Sequence, residues 1–195
     1  MPRISAPTVA EHRSAQRAAL VRAAVEILLA DGVAAAVPRA VCERAGLSRT
    51  SFYDYFPSRD DLLIAVAIDA FDAWDREIEA ALAAAPADGR LRTYVEQTLA
   101  MVADGKHQLA NALREAQFAP SHLEDLMTLH DALVRPLVQV LAEQGVPAPE
   151  RHAQYVNGLI GAAIAGVEHG LDPAVAAREV TAILAGGLGS PAAEG

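Results

Sequence analysis

The first 62 residues contain side chains that are well suited to recognising a polyanion. They include eight arginines and no lysine, against seven acidic residues. Arginine forms paired hydrogen bonds with phosphates and guanine edges, whereas lysine acts as a point charge. Near the middle of this region the hydroxyl residues Ser48, Thr50 and Ser51 flank Arg49. Arginine beside short hydroxyl side chains is suited to contacts with nucleic acid.

The charge of the whole chain argues against a nucleic-acid partner, because its formal net charge is −9. The acidic residues are concentrated in residues 63–195, which carry 8 basic and 18 acidic groups. The first 62 residues carry a net charge of +1. The local charge of the N-terminal third is therefore compatible with a DNA partner even though the whole chain is acidic.

Other reactive residues do not form a recognisable catalytic or metal-binding pattern. The six histidines include no HExxH motif and no pair at i, i+4. Cys42 is the only cysteine, which excludes an intramolecular disulfide and a cysteine-based zinc site and fits a reducing cytoplasm. The glycines at residues 186–189 lack the strand that precedes a phosphate-binding loop. We therefore predict no enzymatic activity, no metal site and no cofactor.

The elements that must position these side chains are predicted to be helical throughout. The chain contains 43 alanines, the residue with the highest helix propensity, and lacks the strict alternation of a strand. Its longest apolar or glycine run, residues 158–167, is about half of the ~20 residues that span a membrane, so we expect no membrane span, and we expect no secretion signal. The predicted helices cover residues 11–31, 38–45, 48–56, 58–85, 90–104, 107–118, 121–144, 149–170 and 174–186. We expect a flexible arm over residues 1–10, a disordered tail over 186–195, and a bend at Pro136.

Two short helices in residues 34–59 form a predicted helix-turn-helix. Gly46 occupies the turn, and Ser48 is a suitable N-cap for the second of these helices. Phe52 and Phe56 are spaced at i, i+4, so both can face a core. The remaining polar face of a helix of this kind can enter the major groove of DNA.

The segment from Val41 to Leu63, VCERAGLSRTSFYDYFPSRDDLL, resembles the DNA-binding domain of the tetracycline-repressor (TetR) family of bacterial regulators. The resemblance covers residues 12–65. It implies an all-α homodimer that binds palindromic double-stranded operator DNA as a repressor and releases it when a small-molecule effector binds. The implied domains are a three-helix DNA-binding domain over 11–60 and a ligand-binding and dimerisation domain over 61–188. The implied location is the cytoplasm, at the bacterial nucleoid.

The resemblance also implies which residues contact DNA. Arg39 and the start of the third helix match positions that read bases or adjacent phosphates, and two tyrosines and a later arginine match positions that grip phosphates. Tyr53 has the alternative of being a core aromatic, and Arg44 is interpreted as a solvated side chain. The predicted DNA-binding residues are Arg39, Ser48, Arg49, Thr50, Ser51, Tyr53, Tyr55 and Arg59.

Three residues depart from the family pattern. Val37 stands where the family usually has a Thr or Ser that caps the second helix, so one hydrogen bond to phosphate is missing. Thr50 replaces a frequent glycine and adds a methyl and a hydroxyl group toward the groove. Asp54 would repel phosphate, but it can accept a hydrogen bond from cytosine. Both roles of Asp54 stay open.

The C-terminal region contains two further sets of candidate residues. Mainly apolar side chains with a few hydroxyls are predicted to line a cavity for a mainly apolar effector, and ordinary core is the alternative. A ridge of small residues in helix 149–170, together with helix 174–186, is predicted to form the dimer interface, and packing within the subunit is the alternative. The ligand set is Trp74, Tyr94, Thr98, Met101, Phe118 and Met127, and the interface set is Gly158, Ala162, Gly166, Val180, Ile183 and Leu184.

A second hypothesis belongs to a different functional class. A helical small-molecule-binding or scaffolding protein of the same fold could lack operator binding, and the net charge of −9 favours that reading. Salt-sensitive binding to a palindromic duplex distinguishes the two hypotheses.

Overall fold

The structure is a computed structural model that describes residues 9–104, 106–114, 116, 118 and 134–187. The regular structure of these residues is helical, and no strand occurs among them. Short 3₁₀ segments at Val33–Ala35 and Ala87–Gly89 precede α2 and α5. The helices are α1 (Val9–Asp31), α2 (Pro38–Ala45), α3 (Arg49–Tyr53), α4 (Arg59–Ala84), α5 (Arg90–Ala103), α6 (Lys106–Arg114), α7 (helical residues 134–143), α8 (Pro149–Glu168) and α9 (Pro173–Gly187).

The described residues divide into two compact units. The first unit contains residues 9–70 and the described residues from 109 to 118, and the second contains 71–108 and 134–187. In the first unit α2 packs against both α1 and α3. Its core is apolar and fully or almost fully buried, which fixes the short helices by tertiary packing. Prominent core residues are Leu20, Ala24, Ile27, Val41, Phe52, Phe56, Leu62 and Leu63.

The turn between α2 and α3 has the geometry that the sequence predicts. Gly46 ends α2 in the left-handed conformation, with φ of 69°, which glycine adopts without steric cost. The backbone N–H of Leu47 donates to the carbonyl of Cys42 at 2.9 Å. Ser48 then caps α3, because its hydroxyl accepts a hydrogen bond from the backbone N–H of Ser51.

The second unit is built around α5, which packs against α8 and α9. Its core combines residues from α4, α5, α7, α8 and α9. Asp172 caps α9 by accepting hydrogen bonds from the backbone N–H groups of Ala174 and Val175. The buried residues of this core include Ile78, Tyr94, Val95, Leu99, Leu137, Leu141, Val156, Ile160, Val180 and Leu184.

The helical prediction is confirmed over the described residues, and most boundaries agree to within a few residues. One boundary was wrong: α6 ends at Arg114, before the predicted end at residue 118. Ala116 lies outside the helix, and its backbone N–H donates to the carbonyl of Leu113 at 3.0 Å. Pro136 lies within the helical residues of α7, but most of the predicted helix 121–144 lies outside the described residues. Residues 1–8 of the predicted arm and 188–195 of the predicted tail also lie outside them, and the remaining residues, 9–10 and 186–187, are helical, so the prediction was wrong there.

None of the helices in the described ranges combines the length and the apolar character needed to cross a membrane.

Candidate nucleic-acid interface

Helix α3 separates a buried face from an exposed polar face. Phe52 is fully buried and lies 5.8 Å from Phe56, measured between ring centroids. Arg49 and Thr50 are exposed on the other side. Because α3 is only five residues long, the packing of Phe52 is what holds the polar face in place.

Three hydroxyl groups cluster at the start of α3. The Ser48 Oγ lies 2.9 Å from the Thr50 Oγ1 and 2.8 Å from the Ser51 Oγ. Hydroxyls can donate or accept, so such a cluster can serve a phosphate oxygen or a base edge. The structure thus brings together, beside the exposed Arg49, the three hydroxyl residues that the sequence singled out.

Two further predicted contact residues lie at the surface of the same unit. Arg39 is exposed at the second position of α2. Tyr53 is 54% exposed, and its ring meets the Phe52 ring edge-on with 5.3 Å between the centroids. The alternative of Tyr53 as a core aromatic is therefore wrong, since more than half of the residue is open to solvent.

Tyr55 lies in the same unit, but its polar atom already has a protein partner. Its hydroxyl donates to the Oε1 of Gln16 at 2.5 Å. The guanidinium of Arg13 lies over the Tyr55 ring, 5.5 Å from its centroid, and donates to the backbone carbonyl of Asp54 at 3.0 Å. These contacts join α1 to the residues that follow α3. The carboxylate of Asp54 is exposed.

Arg59, at the start of α4, also has protein partners. Its Nε donates to the backbone carbonyl of Ala36 at 2.9 Å, and its Nη2 donates to the carbonyl of Val33. The guanidinium is therefore bound to the segment that precedes α2. Sequence reasoning missed these acceptors, because no local spacing relates residue 59 to residues 33–36.

Two further residues of α2 differ in burial: Arg44 is exposed and Cys42 is buried. Arg44 forms an exposed ion pair with Glu26 at 3.2 Å, so it is not merely solvated. Burial raises the pKa of the Cys42 thiol, although a backbone hydrogen bond from Phe52 and the charge of Arg49 lower it. The thiol is therefore protonated and inert at neutral pH.

The predicted ligand residues of α4 and α5 belong to the core of the second unit. Trp74 and Tyr94 meet edge-on with 6.2 Å between ring centroids, and Met101 is buried in the same cluster. The Thr98 hydroxyl donates to the Tyr94 carbonyl at 2.8 Å within its own helix. Phe118 is half-buried in the first unit. Met127 lies outside the described residues.

A charged cluster that could not be predicted from the sequence borders this aromatic pair. Arg135 of α7 donates to the Asp75 Oδ2 at 2.7 Å and lies 3.6 Å from the Glu79 Oε1. Burial, and to a lesser extent the Asp75 carboxylate, raises the pKa of Tyr94 well above its ordinary range. Sixty residues separate Asp75 from Arg135, so only the folded chain shows their pairing.

A shallow groove of about 190 Å³ also lies in the second unit, between α4, α5 and α7. Its lining includes Leu82, Arg90, Pro136, Val140 and Glu143, and none of the predicted ligand residues lines it.

Five of the six predicted interface residues fall into two groups. Gly158, Ala162 and Ile183 are exposed, Ile183 by 58%. Val180 and Leu184 are buried in the core of their own unit.

Gly166 has a neighbour within its own unit. A Cβ added there would lie 3.2 Å from the Leu171 Cδ2. That contact gives Gly166 a packing reason inside the subunit, unlike Gly158, where an added Cβ meets nothing within 4 Å.

Within the part of the chain that the structure describes, no group of three or more histidine, cysteine, aspartate or glutamate side chains is arranged to hold a metal ion.

Residues 20–66 match the family model described as bacterial regulatory proteins, tetR family. No curated protein matches the sequence.

Solved structures share the fold over most of the chain. The fatty acid degradation regulator FadR from Bacillus halodurans superposes with a TM-score of 0.73 at 18% identity, covering 90% of this chain and 97% of that one. FadR from Bacillus subtilis, in complex with stearoyl-CoA, gives a TM-score of 0.71 at 18% identity, covering 86% and 96%. The TetR-like regulator LfrR from Mycobacterium smegmatis, in complex with proflavine, gives 0.63 at 21% identity, covering 90% and 98%. Residues 20–66 therefore match the N-terminal domain of the TetR family of bacterial regulatory proteins, and the chain shares its helical fold with the solved TetR-like regulator LfrR.

Proposed function

We propose that this protein is a dimeric, ligand-responsive transcriptional repressor that binds palindromic operator DNA through α2 and α3. The observation that carries the proposal is the exposed polar face of the first unit, where Arg49 and Thr50 extend from a helix whose opposite side is anchored by the buried Phe52. Arginine and hydroxyl side chains on a firmly held helix are what direct readout of base edges requires.

The proposed DNA contacts separate into two roles. Exposed Arg39, Arg49 and Thr50 are available for base edges and adjacent phosphates, and exposed Tyr53 is available for phosphate. Ser48 and Ser51 support this surface through their hydroxyl cluster with Thr50. The acidic residues that the structure describes in the second unit do not exclude these contacts, because the charges next to a phosphate govern its binding.

A homodimer is supported by the exposed small residues of α8. Gly158 and Gly161 are solvent-exposed, and a Cβ added at either would meet nothing within 4 Å. A glycine inside a helix costs about 1 kcal/mol relative to alanine, and the packing among the described residues gives no reason for either one. A second copy of the chain packed against Gly158, Ala162 and the 58% exposed Ile183 supplies that reason.

The proposed effector is mainly apolar. The solved relatives bind different ligands, stearoyl-CoA in FadR from Bacillus subtilis and proflavine in LfrR, and both ligands carry a large apolar part. In this chain the partly buried Trp74 and the buried Tyr94 offer aromatic surface, and Asp75 beside them offers a polar group. An effector that favours one of two conformations shifts the equilibrium by its differential affinity for them.

Selection of DNA by the purified full-length chain tests the proposal. The chain is incubated with fragmented genomic DNA of the source bacterium, and the retained duplexes are sequenced and titrated by fluorescence anisotropy at several salt concentrations. We expect an enriched palindrome, bound with a linear fall of log K with log salt. A chain that retains no sequence above background supports instead the scaffolding or ligand-binding protein without operator binding.

A further inference from the structure

The start of α2 lacks the side-chain cap that usually fixes a helix N-terminus. Val37 occupies the N-cap position with extended backbone angles and makes no side-chain capping hydrogen bond. Its side chain cannot accept a hydrogen bond, and Pro38, which follows, has no N–H to donate. Yet this end of α2 presents Arg39, one of the proposed DNA contacts. Some other contact must determine where α2 begins.

The segment before α2 is held in a tight bend. Ala36 has φ of −74° and ψ of 63°, and the Val37 N–H donates to the Ala35 carbonyl at 2.7 Å, which is the geometry of an inverse γ-turn. Ala36 is fully buried, so its carbonyl needs a partner inside the protein.

Arg59 supplies that partner from the first turn of α4. Its Nε donates to the Ala36 carbonyl at 2.9 Å, and its Nη2 donates to the Val33 carbonyl at the other end of the bend. A guanidinium presents its donors in a rigid fork, so two bonds from one side chain fix both the position and the orientation of the bound segment. These donors point at the protein backbone.

We infer that Arg59 is a positioning residue for operator binding, which holds the bend at residues 33–36 and thereby fixes the start of α2 and the place of Arg39. In this role it does from α4 what a capping side chain at residue 37 would do locally. The inference rests on the proposed function and assigns Arg59 a different task from the phosphate contact that the family resemblance implies.

The test combines Arg59→Lys with Val37→Ser in the full-length chain, alone and together, with Arg22→Lys at an exposed site of α1 as the matched control. Lysine keeps the charge that a phosphate contact needs but lacks the guanidinium fork. Serine at residue 37 restores a side-chain cap. Each protein is measured by hydrogen exchange without DNA and by titration of the genomic duplex that the wild-type chain selects.

We expect Arg59→Lys to speed amide exchange over residues 33–41 roughly tenfold and to weaken duplex binding by a similar factor. The slope of log K against log salt should not change, because no phosphate contact is lost. Val37→Ser should restore exchange and affinity much more in the Arg59→Lys background than in the wild-type chain. The control should match wild type in both measurements.

Unchanged exchange in Arg59→Lys would overturn the inference. A further variant, Arg59→Ala, is titrated as well. Full duplex affinity in Arg59→Lys, together with a salt slope that is shallower by about one in Arg59→Ala, is the pattern of a phosphate contact and would also overturn the inference. If the wild-type chain selects no duplex, the proposed function and the operator-binding role of Arg59 both fail. The exchange measurement then still decides whether Arg59 holds α2.

Discussion

The hydroxyl of Tyr55 donates to the Oε1 of Gln16 at 2.5 Å, which ties the residues after α3 to the second turn of α1, although 39 positions separate the two residues in the sequence. Arg13 reinforces the same junction by lying over the Tyr55 ring and donating to the Asp54 carbonyl. Helix α3 is thus held by α1 at its C-terminal end and by the Gly46 turn at its start.

Replacing Tyr55 with Phe should therefore lower the free energy of unfolding by about 1 kcal/mol, because it removes one half-buried hydrogen bond and leaves the ring in place. Urea titration followed by circular dichroism measures the change. Tyr53→Phe is the matched control, since Tyr53 is 54% exposed, and it should leave stability unchanged while weakening duplex binding. Equal stability of the two variants would show that the Gln16 bond contributes nothing.

Arg49→Ala should weaken binding to the selected palindrome by about 1–3 kcal/mol and have a much smaller effect on a scrambled duplex of equal length, because Arg49 is exposed at the start of α3 and suited to a base edge. Arg44→Ala serves as the comparison, since Arg44 is paired with Glu26. Anisotropy titrations on both duplexes measure the difference. An equal loss on the two duplexes would assign Arg49 to phosphate rather than to bases.

Gly158→Leu combined with Ala162→Leu should convert the proposed dimer to a monomer, because two large side chains would overpack a close helix contact. The subunit itself should keep its helical content, since an added Cβ at Gly158 meets nothing within 4 Å. Light scattering measures the molecular mass of the variant. Its affinity for the duplex should also fall, because two half-sites must be held together.

Ala103→Leu, at the exposed end of α5, is the control for this pair and should behave like wild type. If the double variant keeps the mass of a dimer, the interface lies on another face of the molecule.

Tyr94 should make the protein sensitive to alkali. Its pKa is raised in the folded chain by burial and by Asp75, while in the unfolded chain it ionises near 10. The folded state therefore holds the proton more tightly, so the stabilisation from Tyr94 is complete below about pH 10 and is lost progressively as the pH rises above that value.

Melting temperatures measured between pH 8 and pH 11.5 test this expectation. The wild-type chain should lose stability more steeply above about pH 10 than Tyr94→Phe does. Tyr155→Phe is the control, because Tyr155 is 65% exposed and should leave the steep decline in place. Parallel curves for wild type and Tyr94→Phe would contradict the raised pKa.

Cys42 should report on the unfolding of the first unit. The thiol is buried and its pKa is raised, so a disulfide reagent should label it only when α2 opens. Labelling at pH 8 should be slow in buffer and complete in denaturing urea, and the selected duplex should slow it further by stabilising the bound unit. Rapid labelling of the folded chain would show that α2 opens readily.

The helices were predictable because their signals are local. Pro38 at a helix start, Gly46 at a turn and Ser48 as a cap each act within a few residues, and the structure places them as the sequence indicates. The exposed face of α3 was predictable for the same reason, since burial of Phe52 and Phe56 at helical spacing leaves Arg49 outside.

The partners of individual side chains were not predictable. An arginine bonds equally well to a phosphate or to a backbone carbonyl, so only the folded chain shows that Arg59 meets Val33 and Ala36. The pairing of Asp75 with Arg135 likewise depends on how α7 lies against α4. The burial of Val180 in its own unit could not be predicted either, because apolar residues of α9 suit a subunit core and a subunit interface alike.

The brevity of α3 has a consequence for how such a protein can acquire a new operator. Its five residues hold their shape through Phe52, while Arg49 and Thr50 make no contribution to the buried core. The residues on the outer side of α3 can therefore be replaced in combination at little cost in folding free energy. Under the proposed function, the set of bases that α3 reads can therefore change without loss of the fold, because the residue that holds the helix in place lies on its other side.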